Sequence, residues 1–418
     1  MLYIIFFKAV FRKIERVFLS EFPNEFSKIK LYRSKILKKK SPEINLKPEK
    51  FKRSFKLKLA IGYKDLKSAD DWYKRFDDNE MNVSIDRWNW LLTGSSKERF
   101  PFNYDDGLFL IRSWSSQFIN DEKLCKSEPY SIGERISNGV LFFKLNNYPI
   151  PKDILIIFKK LTFQLIKNLE YYPNGLTGNH AFNNARALYL ISNLIQNKDI
   201  RLLALEIAKE RLRVLISNNG FMREGSSHYH FLFTRWVLEM IWIAKESKDK
   251  IALNIFNPFA KKLLSKCWFF LVHNQENDTW NYPLIGDVSP DCSPEWLTSM
   301  PWSNLACRIY RPKTIPLPPK NTGWSELFGQ VLEKDKIDQK LKVNFSSTCG
   351  WHRVELLNWT LFTYVPQKKA EVRATHSHLD LCSFILFYKG KSVIIDVGRL
   401  DYTNSKSSKY GKSVNSHN

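Results

Sequence analysis

Three short polar windows along the chain combine side chains that can transfer protons, bind anions or hold metal ions. The first, residues 175–180, is glycine-rich and ends in Asn179 and His180, directly before an apolar stretch with helical spacing. A helix that begins after such a segment presents free backbone N–H groups, which suits an anionic ligand. The structural alternative is that Asn179 caps the helix and His180 is half-buried.

The second window, residues 219–230, offers the carboxylate of Glu224, the phenol of Tyr229 and two imidazoles within a few residues. A phenol has a pKa near 10 and becomes a usable general acid or base only when neighbouring cations lower that pKa. The candidate cations are Arg223, His228 and His230. The alternative is a capped helix start with an aromatic side chain packed inward.

The third window has His376, His378 and Asp380 at alternate positions, followed by Asp396. On an extended strand the first three project from one face, because side chains alternate with a period of two. Two imidazoles and a carboxylate are typical ligands of a divalent metal, zinc foremost. His417 adds another imidazole. The alternative is a polar strand face turned towards solvent.

The elements around these windows change type along the chain. From about residue 72 to residue 332 the apolar spacing is helical, and a proline-rich run at 311–319 marks the approach to a boundary. The predicted helical segments are 154–169, 181–195, 207–216, 231–244 and 255–271. The predicted strands are 351–356, 359–365, 381–388 and 392–395, with a hairpin turn at 389–391. The fold class is therefore α+β, with a helical part followed by a separate β part.

Length and composition agree with a large folded chain. The 418 residues exceed what one core usually fills, so we expect a basic segment at 1–60, a helical unit at 61–330 and a β unit at 343–418. With 44% hydrophobic and 14% aromatic residues, the composition excludes a disordered protein. No apolar run reaches the roughly 20 residues that span a bilayer. The six cysteines are scattered and indicate neither a zinc ribbon nor a disulfide framework.

The net charge of +23 is concentrated at the start of the chain. Residues 1–60 contain seventeen Lys and Arg but five Asp and Glu, so this segment is either a solvated basic arm or a contact for nucleic acid, anionic lipid or an acidic polymer. No RNA-binding, zinc-finger or basic-zipper pattern is present, so no nucleic-acid partner is expected. Residues 1–13 do not form a conventional signal peptide.

Taken in order, the polar windows resemble the heparinase II/III-like family of polysaccharide lyases. The matching segments are 128–138, 178–184, 221–230, 283–287, 376–380, 396–398 and 417–418. The resemblance implies an incomplete (α/α) toroid followed by an antiparallel β-sandwich. It also implies cleavage of an acidic, uronate-containing polysaccharide such as a glycosaminoglycan or alginate by β-elimination, in a bacterial periplasm or cell envelope. Because the sequence stops within the last motif, we expect a truncated sandwich.

The resemblance also assigns roles to residues. Asn179 and His180 would lie against the uronate carboxylate, His376 would complete the group that neutralises it, and Tyr229 would be the catalytic acid and base. The residues assigned to substrate binding are Glu224, Tyr402 and Tyr410, the two tyrosines being alternatives for one that relatives carry after an Asp-x-Gly element. The residues assigned to a mainly structural zinc ion are His378, Asp396 and His417.

The chemistry of β-elimination fits these residue types. Removing the C5 proton of a uronate builds negative charge on its carboxylate, so the site must supply hydrogen-bond donors there. A tyrosine can serve as base and acid in turn if the C5 proton and the leaving oxygen lie on one face of the sugar. A lyase is therefore the leading interpretation. The alternative is a non-catalytic protein that binds glycans or assembles surface polysaccharide with the same fold.

Overall fold

The computed structural model describes most of the helical part and a five-stranded sheet. The described residues are 23–60, 62–93, 101–120, 128–171, 178–274, 276, 279–289, 291–292, 294, 297, 343–345, 350–365, 376–378 and 383–396. Four residues singled out from the sequence lie outside these ranges: Asp380, Tyr402, Tyr410 and His417. Of the predicted site, the structure therefore describes Asn179, His180, Glu224, Tyr229, His376, His378 and Asp396.

Helices dominate the chain up to residue 270. They are α1 (Pro23–Leu37), α2 (Asn79–Arg87), α3 (Tyr104–Phe118), α4 (Pro129–Leu145), α5 (Lys152–Lys167), α6 (Asn179–Leu194), α7 (Lys198–Leu215), α8 (Ser227–Glu246) and α9 (Lys250–Phe270). Two short antiparallel hairpins accompany them, β1 (Phe55–Lys58) with β2 (Tyr63–Leu66) and β3 (Val272–Asn274) with β4 (Thr279–Asn281). The five helical segments predicted from apolar spacing are confirmed, and their ends differ by up to nine residues.

The helices that carry the polar windows are central. α6 packs against α4, α7 and α8, and nearly all side chains of α6 and α8 are buried. A helix that is buried all round must pair its polar groups internally. Arg186 does so by donating to Glu134 at 2.8 Å and to Glu239 at 2.5 Å, and Arg235 donates to Glu239 at 2.7 Å. This ion-pair network fixes α4, α6 and α8 relative to one another.

Part of the basic N-terminal segment is a packed helix rather than a solvated arm. The apolar side chains Phe26, Ile29 and Ile36 of α1 are buried, and α1 packs against α7. Burial of these three side chains stabilises the helix, and two of its cations, Lys28 and Lys35, pair with the carboxylates of Glu206 and Asp199 on α7. Residues 38–40, which follow α1, are exposed. Within the described ranges, no helix has both the length and the apolar character that crossing a bilayer requires.

The sheet follows in the order β5 (Val343–Phe345), β6 (Trp351–Leu356), β7 (Trp359–Tyr364), β8 (Phe384–Tyr388) and β9 (Lys391–Ile394), with every neighbouring pair antiparallel. The four predicted strands are confirmed, and over the described residues their ends differ from the prediction by at most one residue. Lys389 and Gly390 connect β8 and β9 with positive φ angles of 49° and 82°, which is the conformation of a tight two-residue hairpin turn.

The sheet is attached to the end of α9 through aromatic side chains. Trp351 lies 4.8 Å from Phe270 between ring centroids, and Phe362 lies 6.1 Å from Phe269. Arg353 donates to the carbonyl oxygens of Phe269 and Leu271 at 2.7 and 3.0 Å. These contacts fix the sheet against the helical part, so that the connection between β7 and β8 reaches the N-terminus of α8.

Candidate active site

Three backbone segments meet at the N-terminus of α8 and form the frame of the candidate site. Ser227 N–H donates to Ile285 O at 3.1 Å, and Asp287 N–H donates to His376 O at 2.9 Å. Gly286, between them, has a φ of +76°, and a Cβ there would lie 2.5 Å from Gly225 O and 2.6 Å from His376 O. Only glycine allows this approach, because any side chain would meet two backbone oxygens.

Asn179 stands at the start of α6 and is held by Glu224. The backbone N–H of Asn179 donates to Glu224 Oε1 at 3.1 Å, and its Nδ2 donates to Glu224 Oε2 at 2.6 Å. Gly178 is the capping residue, so the alternative that Asn179 caps α6 is wrong. A carboxylate of the protein occupies the anion-binding end of this helix, where the free N–H groups and the helix dipole favour negative charge.

Glu224 itself is almost fully buried, with 1% of its surface exposed. Its carboxylate oxygens are engaged by Asn179, and His376 Nε2 lies 3.5 Å from Oε2. Glu224 was predicted to bind substrate; in the structure it orients the Asn179 amide instead of facing the surface. The buried carboxylate is stabilised by these donors, as a buried charge requires.

His376 is the centre of the cluster. Its Nε2 lies 3.0 Å from Asn179 Nδ2, and its Nδ1 lies 3.1 Å from Asp287 Oδ2. Its ring stacks on Tyr229, with 3.7 Å between centroids and 15° between planes. The neutral ring with a proton on Nδ1 donates to Asp287 and accepts from Asn179, whereas an imidazolium would direct its two protons to Asp287 and Glu224. The stack fixes the Tyr229 ring beside the imidazole.

His378 shares the Asp287 carboxylate with His376. Its Nε2 lies 2.8 Å from Asp287 Oδ1, and its side chain is completely buried. The prediction that His376 and His378 project from one face of a strand is wrong, because residues 376–378 form a turn and an irregular segment between β7 and β8. The solvent-facing alternative is also wrong. The two imidazoles converge on one buried carboxylate, which compensates for their loss of hydration.

The residues predicted to bind a metal are only partly described. Asp396, also buried, lies after β9 with its Oδ2 3.4 Å from Ser383 Oγ. Among the residues that the structure describes, no group of three or more His, Cys, Asp or Glu side chains could hold a metal ion. The third predicted ligand, His417, lies outside them. His378 does have the environment of a metal-binding histidine, because a carboxylate holds one ring nitrogen and fixes the ring orientation.

His180 lies one residue after Asn179 but faces a different set of partners. Its Nδ1 is 2.9 Å from Glu170 Oε2, and its ring lies 4.7 Å from that of Tyr130. Its side chain is 46% exposed, in agreement with the half-buried histidine expected from the sequence. Burial of the ring acts to lower the pKa of His180, but the hydrogen bond and negative charge of Glu170 outweigh it and leave this pKa raised.

The two histidines that flank Tyr229 are neutral, which corrects the prediction that they could lower the pKa of the phenol. Burial lowers the pKa of His228 to about 3 and that of His230 to about 4. His228 Nδ1 lies 3.0 Å from the Tyr282 hydroxyl, and the ring nitrogens of His230 are bonded to backbone groups. Arg223, the third candidate cation, is exposed to solvent. His228 and His230 therefore act as packed, hydrogen-bonded supports of the helix start.

Three residues of the cluster were not assigned a role from the sequence. Asp287 contacts the two imidazoles of the third window, His376 and His378. The sequence feature that could have identified it is the Gly-Asp pair at the end of the segment 283–287. Tyr282 and Glu170 have no distinguishing pattern around them, and only the tertiary structure brings them to His228 and His180.

The cluster as a whole is a chain of hydrogen bonds with a partly open end. Asn179, Glu224 and Asp287 are at most 2% exposed, so they can act on a ligand only through their neighbours or after local movement. Exposed surface remains on His180 and, at 14% of the side chain, on His376, with Tyr229 beside it. Imidazoles and a phenol at the surface of a buried polar network can donate hydrogen bonds to an anion and exchange protons with it.

Comparison with known proteins agrees with the resemblance. Residues 339–418 match the family model of the heparinase II/III-like C-terminal domain. A crystal structure of a heparinase III has 16% sequence identity and a TM-score of 0.59, and the match covers 83% of this chain and 56% of that one. This chain therefore spans little more than half the length of that heparinase. No curated protein matches the sequence significantly.

Two further structures have the same fold. A second heparinase III, solved with methylated lysines, has 13% identity and a TM-score of 0.53 over 97% of this chain and 70% of that one. A mutant heparan sulfate lyase from Pedobacter heparinus has 14% identity and a TM-score of 0.50 over 94% of this chain and 65% of that one. The predicted resemblance to the heparinase II/III-like family is confirmed, and the mostly helical chain with an antiparallel sheet has the fold of these proteins.

Proposed function

Starting from that shared fold, we propose that this protein is a polysaccharide lyase that cleaves an acidic, uronate-containing glycan by β-elimination. The observation that carries the proposal is the cluster at the start of α6 and α8. There His376 lies within hydrogen-bonding distance of Asn179 and stacks on Tyr229, although the three residues are distant in sequence.

The reaction breaks two bonds at one sugar. A base removes the C5 proton, the C5–H electron pair forms the C4–C5 double bond, and the C4–O bond breaks with its electrons leaving on the glycosidic oxygen. That oxygen then takes up a proton. The products are a new glycan end and an unsaturated uronate. Negative charge grows on the carboxylate during this step, so stabilising that charge lowers the barrier.

Each described residue has a part in this scheme. The exposed imidazole of His180 would donate to the uronate carboxylate, and His376, held by Asn179 and Asp287, would lie beside that carboxylate. The phenolate of Tyr229 would take the C5 proton, and the resulting phenol would give it to the leaving oxygen. Asn179 would orient His376, since its Nδ2 lies 2.6 Å from Glu224 and 3.0 Å from His376 Nε2. Asp287 would hold His376 from the other side. Tyr402 or Tyr410 remains a candidate for a further contact with the substrate.

The charge of the chain favours a polyanionic substrate. A net charge of +23 attracts an acidic polymer over a distance set by the ionic strength, about 8 Å at physiological salt. Binding to a polyuronate should therefore weaken as salt increases. A bacterial periplasm or cell envelope, the setting of the family, would supply such glycans.

The finer architecture is part of the proposal. The helical part would be an incomplete (α/α) toroid at about 61–330, and the sheet would be the beginning of a β-sandwich at 343–418. A divalent metal, zinc by the chemistry of its donors, would be bound by His378, Asp396 and His417. His378 would use Nδ1, because its Nε2 is engaged by Asp287 at 2.8 Å. Such an ion would fix the loop that carries His376 and need not take part in the proton transfers.

The test is the appearance of unsaturated uronate, followed by ultraviolet absorbance. Purified protein is mixed separately with alginate, heparan sulfate, hyaluronan and a bacterial acidic exopolysaccharide. Turnover of one of them should fall by about 10²–10⁴-fold in Tyr229→Phe, because the variant loses the proton-transferring hydroxyl. Glycan binding should stay within about twofold, because the ring that stacks on His376 is retained.

A matched control is Tyr189→Phe. Tyr189 also lies on a central helix and loses a buried hydroxyl, one that bonds Asp249 at 2.9 Å, but it is ten residues from Asn179, or about 15 Å along α6. This variant should keep its turnover. Binding of a glycan without any absorbance change in the folded wild-type protein would reject the lyase and favour the non-catalytic glycan-binding protein.

A further inference from the structure

Glu170 is a partner of His180 that lies outside every segment on which the family resemblance rests. It follows the end of α5, and its Oε2 is 2.9 Å from His180 Nδ1. Both side chains are partly exposed, at 28% for Glu170 and 46% for His180. The pair is therefore at the edge of the site, where a ligand can reach the imidazole, rather than in the buried network of Asn179 and Glu224.

The surroundings of His180 come from three other elements. Tyr130, at the start of α4, has its ring centroid 4.7 Å from that of His180, and the guanidinium of Arg87 lies 4.9 Å from the centroid of the Tyr130 ring. Glu128, before α4, and Glu224, before α8, also act on His180 through their negative charge. The groups that act on the imidazole are thus three carboxylates and one aromatic ring, and Arg87 lies against that ring.

We propose that Glu170 is a positioning residue that keeps His180 doubly protonated and aims its Nε2–H at the carboxylate of the bound sugar. This inference rests on the proposed lyase function. With Nδ1–H donated to Glu170, Nε2 is the nitrogen that faces a ligand, and the ring carries a full positive charge. The hydrogen bond from an imidazolium to a carboxylate is charge-assisted and strengthens as negative charge accumulates during proton removal.

Glu170 would therefore determine the pH range in which the site works. The raised pKa of His180 is consistent with this role, since the interaction with Glu170 outweighs the effect of burial. Removing an opposite charge at hydrogen-bonding distance shifts a pKa by about one unit or more. At a pH above the pKa of His180 in both proteins, the Glu170→Gln variant should thus contain about tenfold less imidazolium at His180 than the wild-type protein.

The first experiment measures the protonation of His180 directly. The full chain is labelled at its histidine side chains, of which there are eight, and titrated by NMR, with His180→Asn identifying the resonance. The His180 resonance should titrate above the ordinary range of histidine in wild type and at least about one pH unit lower in Glu170→Gln. An identical midpoint in both proteins, or an ordinary midpoint in wild type, would overturn the inference whatever the activity.

The second experiment measures kcat/KM against pH on the glycan that the wild-type protein cleaves. For Glu170→Gln the high-pH limb should move to lower pH, giving about a tenfold loss at alkaline pH but less than twofold at pH values where both proteins carry the imidazolium. Recovery at low pH separates a charge effect from a folding defect, which would lower the rate at every pH. A Tyr229-dependent activity with an unshifted Glu170→Gln profile would overturn the role of Glu170 and leave the lyase function standing.

The matched control is Glu246→Gln. Glu246 also pairs a partly exposed carboxylate with a cation, Lys144, but lies at the far end of α8, about 25 Å along the axis from Tyr229. Its pH profile and the His180 titration should equal those of wild type. If wild type shows no turnover on any glycan, the lyase proposal fails, and the NMR titration still decides whether Glu170 holds His180 protonated.

Discussion

Replacing His230 with asparagine should make the protein less sensitive to acid, because the buried imidazole is held in one neutral form. His230 Nε2 lies 3.0 Å from the carbonyl oxygen of Leu263 and must donate to it, and Nδ1 accepts the N–H of Met222 at 3.3 Å. A second proton would have to be placed on Nδ1, where it would point at the Met222 N–H. Burial, together with the positive charge of Lys266, lowers the pKa of His230 to about 4 although the hydrogen bond to Leu263 acts to raise it.

The sign and size of the effect follow from proton linkage. The unfolded chain binds a proton at His230 below about pH 6.5, and the folded chain does not until about pH 4, so acid favours the unfolded state. When the pH falls from 7 to 5, this difference in proton binding lowers the free energy of unfolding by about 2 kcal/mol. Asparagine cannot be protonated, so His230→Asn should lose about 2 kcal/mol less than wild type over that interval.

The assay is urea unfolding at pH 7 and pH 5, followed by far-ultraviolet circular dichroism. His230→Asn also leaves a small cavity and an unpaired carbonyl, which lower its stability at both pH values, so the quantity to compare is the difference between the two pH values. His180→Asn is the opposite control. The pKa of His180 is raised, so its interaction stabilises the folded state at low pH and is lost as pH rises through that pKa. Equal pH dependence in His230→Asn and wild type would refute the reasoning.

Two further predictions concern the frame of the site. Gly286→Ala should abolish turnover and lower the melting temperature, because its Cβ would lie 2.5 Å and 2.6 Å from two backbone oxygens at a φ of +76°; a variant with wild-type turnover and melting temperature would contradict the close approach. His378→Ala should remove the proposed zinc, measured by elemental analysis of the purified protein, whereas His376→Ala should retain it although both residues contact Asp287. Equal metal content in both variants would argue against His378 as a ligand.

The order of the elements could be predicted from the sequence because it depends on local periodicity. Apolar residues at helical spacing predicted α5 to α9, and alternating apolar residues predicted β6 to β9. The spacing of apolar residues predicts these elements because it indicates which face of a helix or strand is buried. The turn at Lys389 and Gly390 was likewise a local signal. α1 was not predicted, because its mixture of cations and scattered apolar residues resembles a solvated segment until α7 is there to bury its apolar face.

The candidate residues were also visible in the sequence, as short windows rich in His, Asn, Tyr and carboxylates, but what each one contacts was not. The roles of Glu224 and His228 changed once burial was known: Glu224 is committed to Asn179, and His228 is too buried to carry a charge. Charge state depends on desolvation and on neighbours from other parts of the chain, and neither is a local property.

What the sequence determined by itself was therefore the set of reactive side chains and the elements on which they lie. What only the tertiary structure decided was their pairing: the Asp287 carboxylate between two imidazoles, the Tyr229 ring on His376, and Glu170 on His180. These pairs join residues up to about 150 positions apart, and they form because the packing of α6, α8 and the sheet leaves buried polar groups that must find partners. Local periodicity cannot predict contacts between residues so far apart in the sequence. The partner that fixes each group's protonation is therefore identified only in the folded chain.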